Sequence, residues 1–205
     1  DLKTQLGIDW HAEESRRYAS RELNNISQTE QGVAANGRHN NLYWQEETYL
    51  TYNRTLKGLH RVNAMLGMSW QAYASRYNYS EAQSFESDFF EDLNMGTGKN
   101  PRPPGSNYDE WKMNSYFLRL AYTYNDRYSA TFTARSDGSS KFGKNNKYAF
   151  FPSAGLAWIV SEESWLKDNS WLSNLKLHTS YGLTGNSEIA TYRSLARVGS
   201  GTVLL

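Results

Sequence analysis

Apolar and polar residues alternate along several stretches of this chain. The clearest case is residues 116–124, which are followed by a turn at 125–127 and a return over 128–135. In both halves every second residue is apolar or aromatic, and the residues between are mostly small or polar. Because successive side chains of a strand point to opposite faces, this period of two predicts an antiparallel hairpin with one apolar and one polar face.

The same alternation predicts about seven strands in an antiparallel meander. The other five cover residues 2–12, 42–56, 62–72, 153–160 and 175–183. In the second strand Glu46 falls on the apolar face, so either that strand projects beyond an apolar layer or its parity is misassigned there. Residues 161–166 predict a short helix, because Ser161 can cap its start and two glutamates follow in the first turn.

The connections between these strands alternate in length. Residues 14–41 and 73–112 predict long polar loops, 137–148 a shorter loop, and 57–58 and 125–127 tight turns. Residues 185–205 are typical of a loop. Short turns at one end of a sheet and long loops at the other are typical of outer-membrane barrels, in which the long loops are extracellular.

Aromatic residues on the predicted apolar faces gather near the strand ends. The outer group is Trp10, Trp70, Tyr116 and Tyr181, with Trp44 as a further candidate, and the inner group is Tyr52, Tyr122, Tyr124, Tyr128 and Trp158. Two aromatic girdles around an aliphatic band are what a bilayer favours on the outside of a barrel. The alternative is a soluble β-sandwich, whose strands also alternate but whose core gives no reason to sort rings to both ends.

Composition narrows the functional classes. The 22 basic and 21 acidic residues give a net charge of +1, so nothing indicates a nucleic-acid partner. The chain has no cysteine, and its mean hydropathy is −0.76 with no run near the roughly 18 apolar residues of a membrane helix. Asp1 opens directly into a strand pattern, so we expect a mature chain or a fragment. Seven strands are fewer than the 8 of the smallest bacterial barrels, so we expect a piece of a larger one.

No catalytic or metal-binding pattern emerges from the sequence. The four histidines are scattered, with no paired ligand spacing. The run 96–100 lacks the first glycine of a phosphate-binding loop and the hydroxyl residue that should follow Lys99. We therefore predict no enzymatic activity, no cofactor and no metal.

Polar-face and loop residues are candidates for contact with a polar ligand. Asp9, Arg119, Arg135 and His178 lie on predicted polar faces, where a hydrated lumen needs such groups. The alternative, which we favour for Arg119 and Arg135, is that they pair with one another or with a part of the protein that fills the barrel. A second set of candidates consists of aromatic residues in the second predicted long loop, which could stack on sugar rings, pack the loop or meet a partner: Tyr77, Tyr79, Tyr108 and Trp111.

Several runs in the second half of the chain resemble a known family. They are 135–143 (RSDGSSKFG), 150–154 (FFPSA), Trp158 with 161–163, 171–177 (WLSNLKL) and 180–186 (SYGLTGN). Together and in this order they resemble the SusC/RagA family of TonB-linked (TonB-dependent) outer-membrane transporters of Bacteroidota. The resemblance is dense over 116–186 and thinner before it.

The resemblance implies a larger assembly in the Gram-negative outer membrane. Its parts are a barrel of about 22 strands filled by an N-terminal plug, a TonB box that engages TonB, and a SusD-like surface lipoprotein over the outer mouth. Residues 1–205 would then be a partial TonB-dependent receptor β-barrel without plug, TonB box or remaining strands. They would supply lipid-facing wall and extracellular loops to an importer of glycan fragments (oligosaccharides) or peptides. The alternative function is a soluble surface glycan-binding β-domain.

Overall fold

Antiparallel strands dominate the computed structural model, which describes residues 1–23, 29–143, 147–167 and 171–185. These residues form eight strands and the two 3-10 helices Met95–Thr97 and Val160–Glu162. The strands are β1 (Leu2–Ala19), β2 (Val33–Leu56), β3 (His60–Gln83), β4 (Asn100–Pro101), β5 (Gly105–Tyr124), β6 (Tyr128–Ser139), β7 (Tyr148–Ile159) and β8 (Lys176–Gly182).

The long strands pair in chain order. They form one sheet in the order β1-β2-β3-β5-β6-β7-β8, and the two-residue β4 pairs with β3 beside this path. The predicted all-β antiparallel meander is confirmed, and β4 is an additional strand that no alternation indicated. Within the described ranges, no helix has the length and apolar character needed to cross a membrane.

Two of the turns have the geometry that a two-residue hairpin requires. Lys57 and Gly58 have φ of 49° and 66°, and Asn125 and Asp126 have φ of 50° and 53°. Positive φ at both central residues is the mirror-image type I turn, whose twist matches that of the flanking strands. The tight turns predicted at 57–58 and 125–127 are therefore confirmed.

The predicted long loops are wrong over much of their length. Residues 14–19, 33–41, 73–83 and 105–112 belong to β1, β2, β3 and β5, so β2 and β3 are each 24 residues long. Polar side chains stand on both faces of these strand ends, as at 13–17 of β1. Without an apolar face there is no period of two, which is why the pattern predicted loops.

The chain divides into two compact units. The first unit consists of Asp1–Gly7, Gln45–Ala72 and Trp111–Leu205, and the second of Ile8–Trp44 and Tyr73–Glu110. The second unit has a small apolar core in which Ala34, Ala82 and Phe85 are buried and Tyr18 and Met95 pack against them. This core anchors the connection that follows β3.

Ion pairs fasten that connection as well. Arg16 lies 3.4 Å from Asp92, and Arg21 lies 3.6 Å from Asp88. Arg102 contacts both Glu81 and Glu30, at 3.0 and 3.3 Å. Lys99 and Glu86 are 2.9 Å apart, and the Lys99 ammonium holds the pKa of the Glu86 carboxyl below its usual value.

In the first unit, the position of Glu46 decides between the two alternatives for β2. The hydroxyls of Thr4 and Thr48 are 2.9 Å apart across β1 and β2, and Thr48 donates to Glu46 Oε1 at 2.5 Å. Glu46 therefore shares the face of Thr4 and Thr48, and the predicted parity is correct. The other Glu46 carboxylate oxygen is buried and accepts no hydrogen bond from the described residues.

The helix predicted over 161–166 is wrong. The structure has the 3-10 helix Val160–Glu162, which begins after Ile159 without a side-chain cap. A turn follows, in which the N–H groups of Leu166 and Lys167 both donate to the carbonyl of Glu163. Glu163 does not stabilise a helix N-terminus. Its side chain instead binds residues of the neighbouring strands.

Candidate functional site

The apolar positions of β5–β8 lie in register across the sheet. One row joins Leu120, Phe132, Ala154 and Tyr181, which are paired neighbours on the four strands. Another row joins Tyr124, Tyr128, Trp158 and Leu177 in the same way. The four strands therefore share one continuous apolar face.

This apolar face has no second protein layer over it in the described residues. Leu156 is 62% exposed and Tyr181 is 77% exposed. A sandwich core would bury such residues. Among the predicted girdle residues Trp158 is half-buried, and the others are each more than a third exposed: Trp10, Trp44, Tyr52, Trp70, Tyr116, Tyr122, Tyr124, Tyr128 and Tyr181.

At the turn end of the first unit the rings form a continuous row, which we call the inner aromatic row: His60, Tyr122, Tyr124, Tyr128 and Trp158. The rings of Tyr124 and Tyr128 are stacked with centroids 6.4 Å apart, and those of Tyr128 and Trp158 are stacked at 6.3 Å. His60 extends the row, since its Nδ1 lies 2.7 Å from the Tyr122 hydroxyl and its ring 5.0 Å from that of Tyr124. The row crosses β3, β5, β6 and β7.

Glu163 binds the polar atoms of this row. Its Oε1 accepts hydrogen bonds from the Tyr128 hydroxyl at 2.5 Å and from Trp158 Nε1 at 3.0 Å. Its Oε2 accepts from Arg127 Nη1 at 3.3 Å. These donors, the Tyr128 hydroxyl foremost, hold the pKa of the Glu163 carboxyl below its usual value. A single carboxylate thus ties the β7–β8 connection to two rings of the row and to the β5–β6 turn.

On the polar face, Arg135 is held by its neighbours. Its Nε donates to Asp137 Oδ1 at 2.7 Å, and its Nη2 donates to Ser115 Oγ at 3.1 Å. Ser115 is buried, and it is the cross-strand partner of Asp137. Arg135 is therefore paired within its own strand and with β5, and its ionic partner, Asp137, is not one of the partners that the sequence analysis favoured.

The side chains of the other polar-face candidates are exposed and make no hydrogen bond or ion pair within the described part of the chain. Arg119 is the cross-strand partner of Thr133 and so lies diagonally beside Arg135. His178 lies on β8 opposite Ala157. Asp9 lies on β1 in the second unit. The structure brings Arg119 and Arg135 together but gives no contact that joins the four residues into one site.

The predicted loop aromatics are strand residues. Tyr77 and Tyr79 lie on β3 with parallel rings at 6.5 Å, and Tyr79 donates to Glu81 at 2.6 Å. Tyr108 lies on β5, where it donates to Glu110 at 2.8 Å and its ring stands 5.3 Å from the Arg76 guanidinium. Trp111, also on β5, lies 4.9 Å from the Lys141 ammonium. Assignment to a loop is wrong for all four, for the reason given for the strand ends.

Two residues of this site, Glu163 and His60, were not identified from the sequence patterns. Glu163 was interpreted as a helix-terminal acid, and His60 was counted as an isolated histidine. The signal for His60 was its position at the first residue of a strand that pairs with a tyrosine-rich one. No group of three or more potential metal ligands occurs in the described residues.

Comparison with known proteins gives this geometry a family context. Residues 1–199 match the family model described as TonB dependent receptor-like, beta-barrel. TonB-dependent receptor P3 of Formosa agariphila is 41% identical over 154 residues, which are 75% of this chain and 15% of that protein. TonB-dependent receptor SusC of Bacteroides thetaiotaomicron is 51% identical over 75 residues, 37% of this chain and 8% of that protein.

A solved structure shows the same architecture. The structure of the RagAB peptide transporter superimposes with a TM-score of 0.83 at 27% identity, over 93% of this chain and 21% of that one. The chain therefore spans about a fifth or less of the length of these relatives. The apolar face, the strand order and the family match agree: the chain belongs to the TonB-dependent receptor β-barrels of the outer membrane and is a SusC/RagA-like segment of such a barrel.

Proposed function

We propose that this chain forms lipid-facing wall and extracellular structure in a TonB-dependent importer of glycan fragments or peptides. The proposal rests on the difference between the two faces of the β5–β8 sheet, one apolar and one polar. The apolar positions stay in register across β5–β8 and remain exposed, and the opposite face carries Arg119, Arg135 and His178. One face suits hydrocarbon, and the other suits a hydrated lumen.

Strand dimensions support a bilayer as the apolar environment. The inner aromatic row marks the lower edge of the apolar face. Glu46 lies ten residues before Leu56, the last residue of β2. For a strand tilted by about 40° this is a height of about 25 Å, the thickness of the lipid-facing band of such barrels. Glu46 would therefore lie at the outer edge of the band.

The polar face provides different kinds of candidate cargo contact. Arg119, His178 and Asp9 are exposed and able to bind polar groups of cargo, whereas Arg135 is occupied by Ser115 and Asp137. Tyr77 is 39% exposed beside Tyr79, and such a pair of parallel rings suits a sugar or a peptide side chain. We assign Arg135 to wall structure and the other residues to cargo contact.

We infer the partners from the named relatives. SusC and RagAB are the named relatives, and the latter is described as a peptide transporter. We propose a SusD-like surface lipoprotein at the extracellular end and coupling to TonB through a plug elsewhere in the complete receptor. Energy from TonB would then remodel the plug and let bound cargo pass along the polar face.

Uptake by cells that carry the complete receptor tests this function. Deletion of its gene should abolish accumulation of one class of labelled cargo, oligosaccharides or peptides, and leave the other unchanged. Loss of TonB should have the same effect, and restoring the gene should reverse it. Glycan binding that persists without TonB-dependent accumulation would instead support a surface glycan-binding domain.

A further inference from the structure

Two tryptophans in the β7–β8 connection are largely exposed. Trp165 is 67% exposed and Trp171 is 77% exposed. Burial of one tryptophan removes roughly 150–250 Å² of surface from water, so two exposed tryptophans leave a large apolar area in contact with solvent. Neither ring belongs to a strand, and neither contributes to the apolar face of the sheet.

The base of this connection is closed and fixed. The N–H groups of Val160 and Ser161 both donate to the carbonyl of Leu175, at 2.8 and 3.3 Å. Val160 and Ser161 are both buried. Val160 and Leu175, which lie before and after the two tryptophans in the chain, are therefore joined to each other beside the inner aromatic row.

Glu163 determines the side of the sheet to which this loop is tied. Tyr128 and Trp158, its two aromatic donors, belong to the row that also contains Tyr124 and Leu177 on the apolar face. Glu163 thus draws the loop toward the apolar side, away from the face of Arg135. Trp165 follows only two residues later.

We propose that residues 160–167 and 171–175 form an interfacial foot in which Trp165 and Trp171 enter the phospholipid headgroup region of the inner leaflet, with Glu163 as the positioning residue. This rests on the proposed function, in which the apolar face meets the bilayer. Phospholipid is the favoured occupant because the loop is continuous with the inner aromatic row, and tryptophan is enriched at membrane–water interfaces. Lys167, 61% exposed and 3.8 Å from Glu162, adds a cation near the lipid phosphates.

Site-directed fluorescence in the complete receptor tests the foot. This segment has no cysteine, so Trp165→Cys and Trp171→Cys each introduce a single site for an environment-sensitive fluorophore within it. The labelled receptors would be reconstituted in phosphatidylethanolamine–phosphatidylglycerol vesicles with nitroxides at the headgroup or deep in the acyl chain. Leu93→Cys is a matched control, because Leu93 is 71% exposed but lies in the connection after β3, in the second unit.

We expect headgroup nitroxides to quench both tryptophan sites at least threefold more than the Leu93 site. Glu163→Ala should reduce that quenching at least twofold, whereas Glu162→Ala should leave it unchanged. Equal quenching at the tryptophan and Leu93 sites would overturn the proposal and leave a protein partner, such as a plug, as the occupant.

A label at Leu156→Cys separates the failure of the foot from the failure of the proposed function. Leu156 lies on the apolar face itself and is 62% exposed. If deep nitroxides quench this label but the tryptophan sites stay unquenched, insertion of the tryptophans into the headgroup region is wrong, and the proposal that the apolar face contacts lipid is supported. If Leu156 is not quenched either, both are wrong.

Discussion

At the scale of single residues, Glu163 shows how one carboxylate can organise a set of rings. Tyrosine and tryptophan bring an apolar body and a polar atom that needs a partner. Hydrogen bonds to an ionised acceptor are stronger than hydrogen bonds between neutral groups. The Glu163 carboxylate accepts three of them, from Tyr128, Trp158 and Arg127. Two strands and two connections are thereby joined at one side chain.

This network predicts a dependence of stability on pH. Because the folded-state pKa of Glu163 is lowered, its contribution to stability is fully present above the ordinary carboxylate pKa of about 4.3. The contribution is lost as the pH falls through the lower folded-state pKa. The complete receptor in detergent should therefore lose thermal stability between pH 5 and pH 3, and Glu163→Gln should lose less over the same range.

Glu162→Gln is the control for this experiment, since Glu162 contacts only Lys167 among the ion pairs of the described residues. It should retain the pH dependence of the parent. If Glu163→Gln has the same pH dependence as the parent, the carboxylate does not stabilise the inner aromatic row in its charged form.

The residue scale is where sequence was least informative. Glu163 lies 35 positions from Tyr128, and Arg135 lies 20 positions from Ser115. Local patterns do not encode such separations, because the contacts depend on the register of whole strands. The face of Arg135 was predictable from its parity, whereas its partner Ser115 required the β5–β6 pairing.

At the scale of elements, the hairpin turns fix the register that both faces require. A slip of one residue would move every apolar side chain to the opposite face. The turn at Asn125 and Asp126 has both residues at positive φ, and its closing hydrogen bond joins Arg127 N–H to the Tyr124 carbonyl at 3.0 Å. Asparagine and aspartate tolerate this conformation better than most residues do.

Substitution of Asn125 tests the turn. Asn125→Val should destabilise the receptor by about 1–2 kcal/mol, because a β-branched residue is strained at positive φ. Asn125→Gly should be tolerated, since glycine adopts this conformation without strain. The measurement is the denaturant midpoint of the complete receptor in detergent. Equal midpoints for the two variants would mean that the turn conformation does not limit stability.

The same scale explains which strands could be predicted. β6 and the parts of β5 and β7 nearest the inner aromatic row carry a clean period of two, and the pairing of β5 with β6 followed from the short turn between them. The end of β1 beyond Ala12 carries polar residues on both sides, and only its pairing with β2 makes it a strand. β4 has two residues, too few for any period.

At the scale of the whole molecule, one sheet separates two environments. Phe132 and Thr131 are consecutive residues of β6 that point to opposite faces, paired with Leu120 and Ala121 on β5. Phe132 lies four residues above Tyr128, about 10 Å higher for a tilted strand, and so near the middle of the apolar band. These two positions therefore compare the two environments at nearly the same depth.

A lysine at each position makes that comparison. Phe132→Lys should destabilise the complete receptor in phospholipid vesicles by about 2–4 kcal/mol, the cost of a cation at the bilayer midplane. Thr131→Lys should cost much less, because water in the lumen solvates the ammonium group. Urea unfolding in vesicles measures both variants. A larger loss for Thr131→Lys would reverse the assignment of the two faces.

The ion pairs of the second unit have a consequence for the environment in which such a receptor works. Arg16, Arg21, Lys99 and Arg102 hold the connection after β3 largely by charge, and each of these side chains is at least two-fifths exposed. Attraction between exposed charges weakens as dissolved salt shortens the Debye length from about 30 Å at 0.01 M to about 8 Å at 0.15 M. At low salt these ion pairs would therefore stabilise the connection most. At high salt they would stabilise it less, whereas the apolar packing of Phe85 would remain.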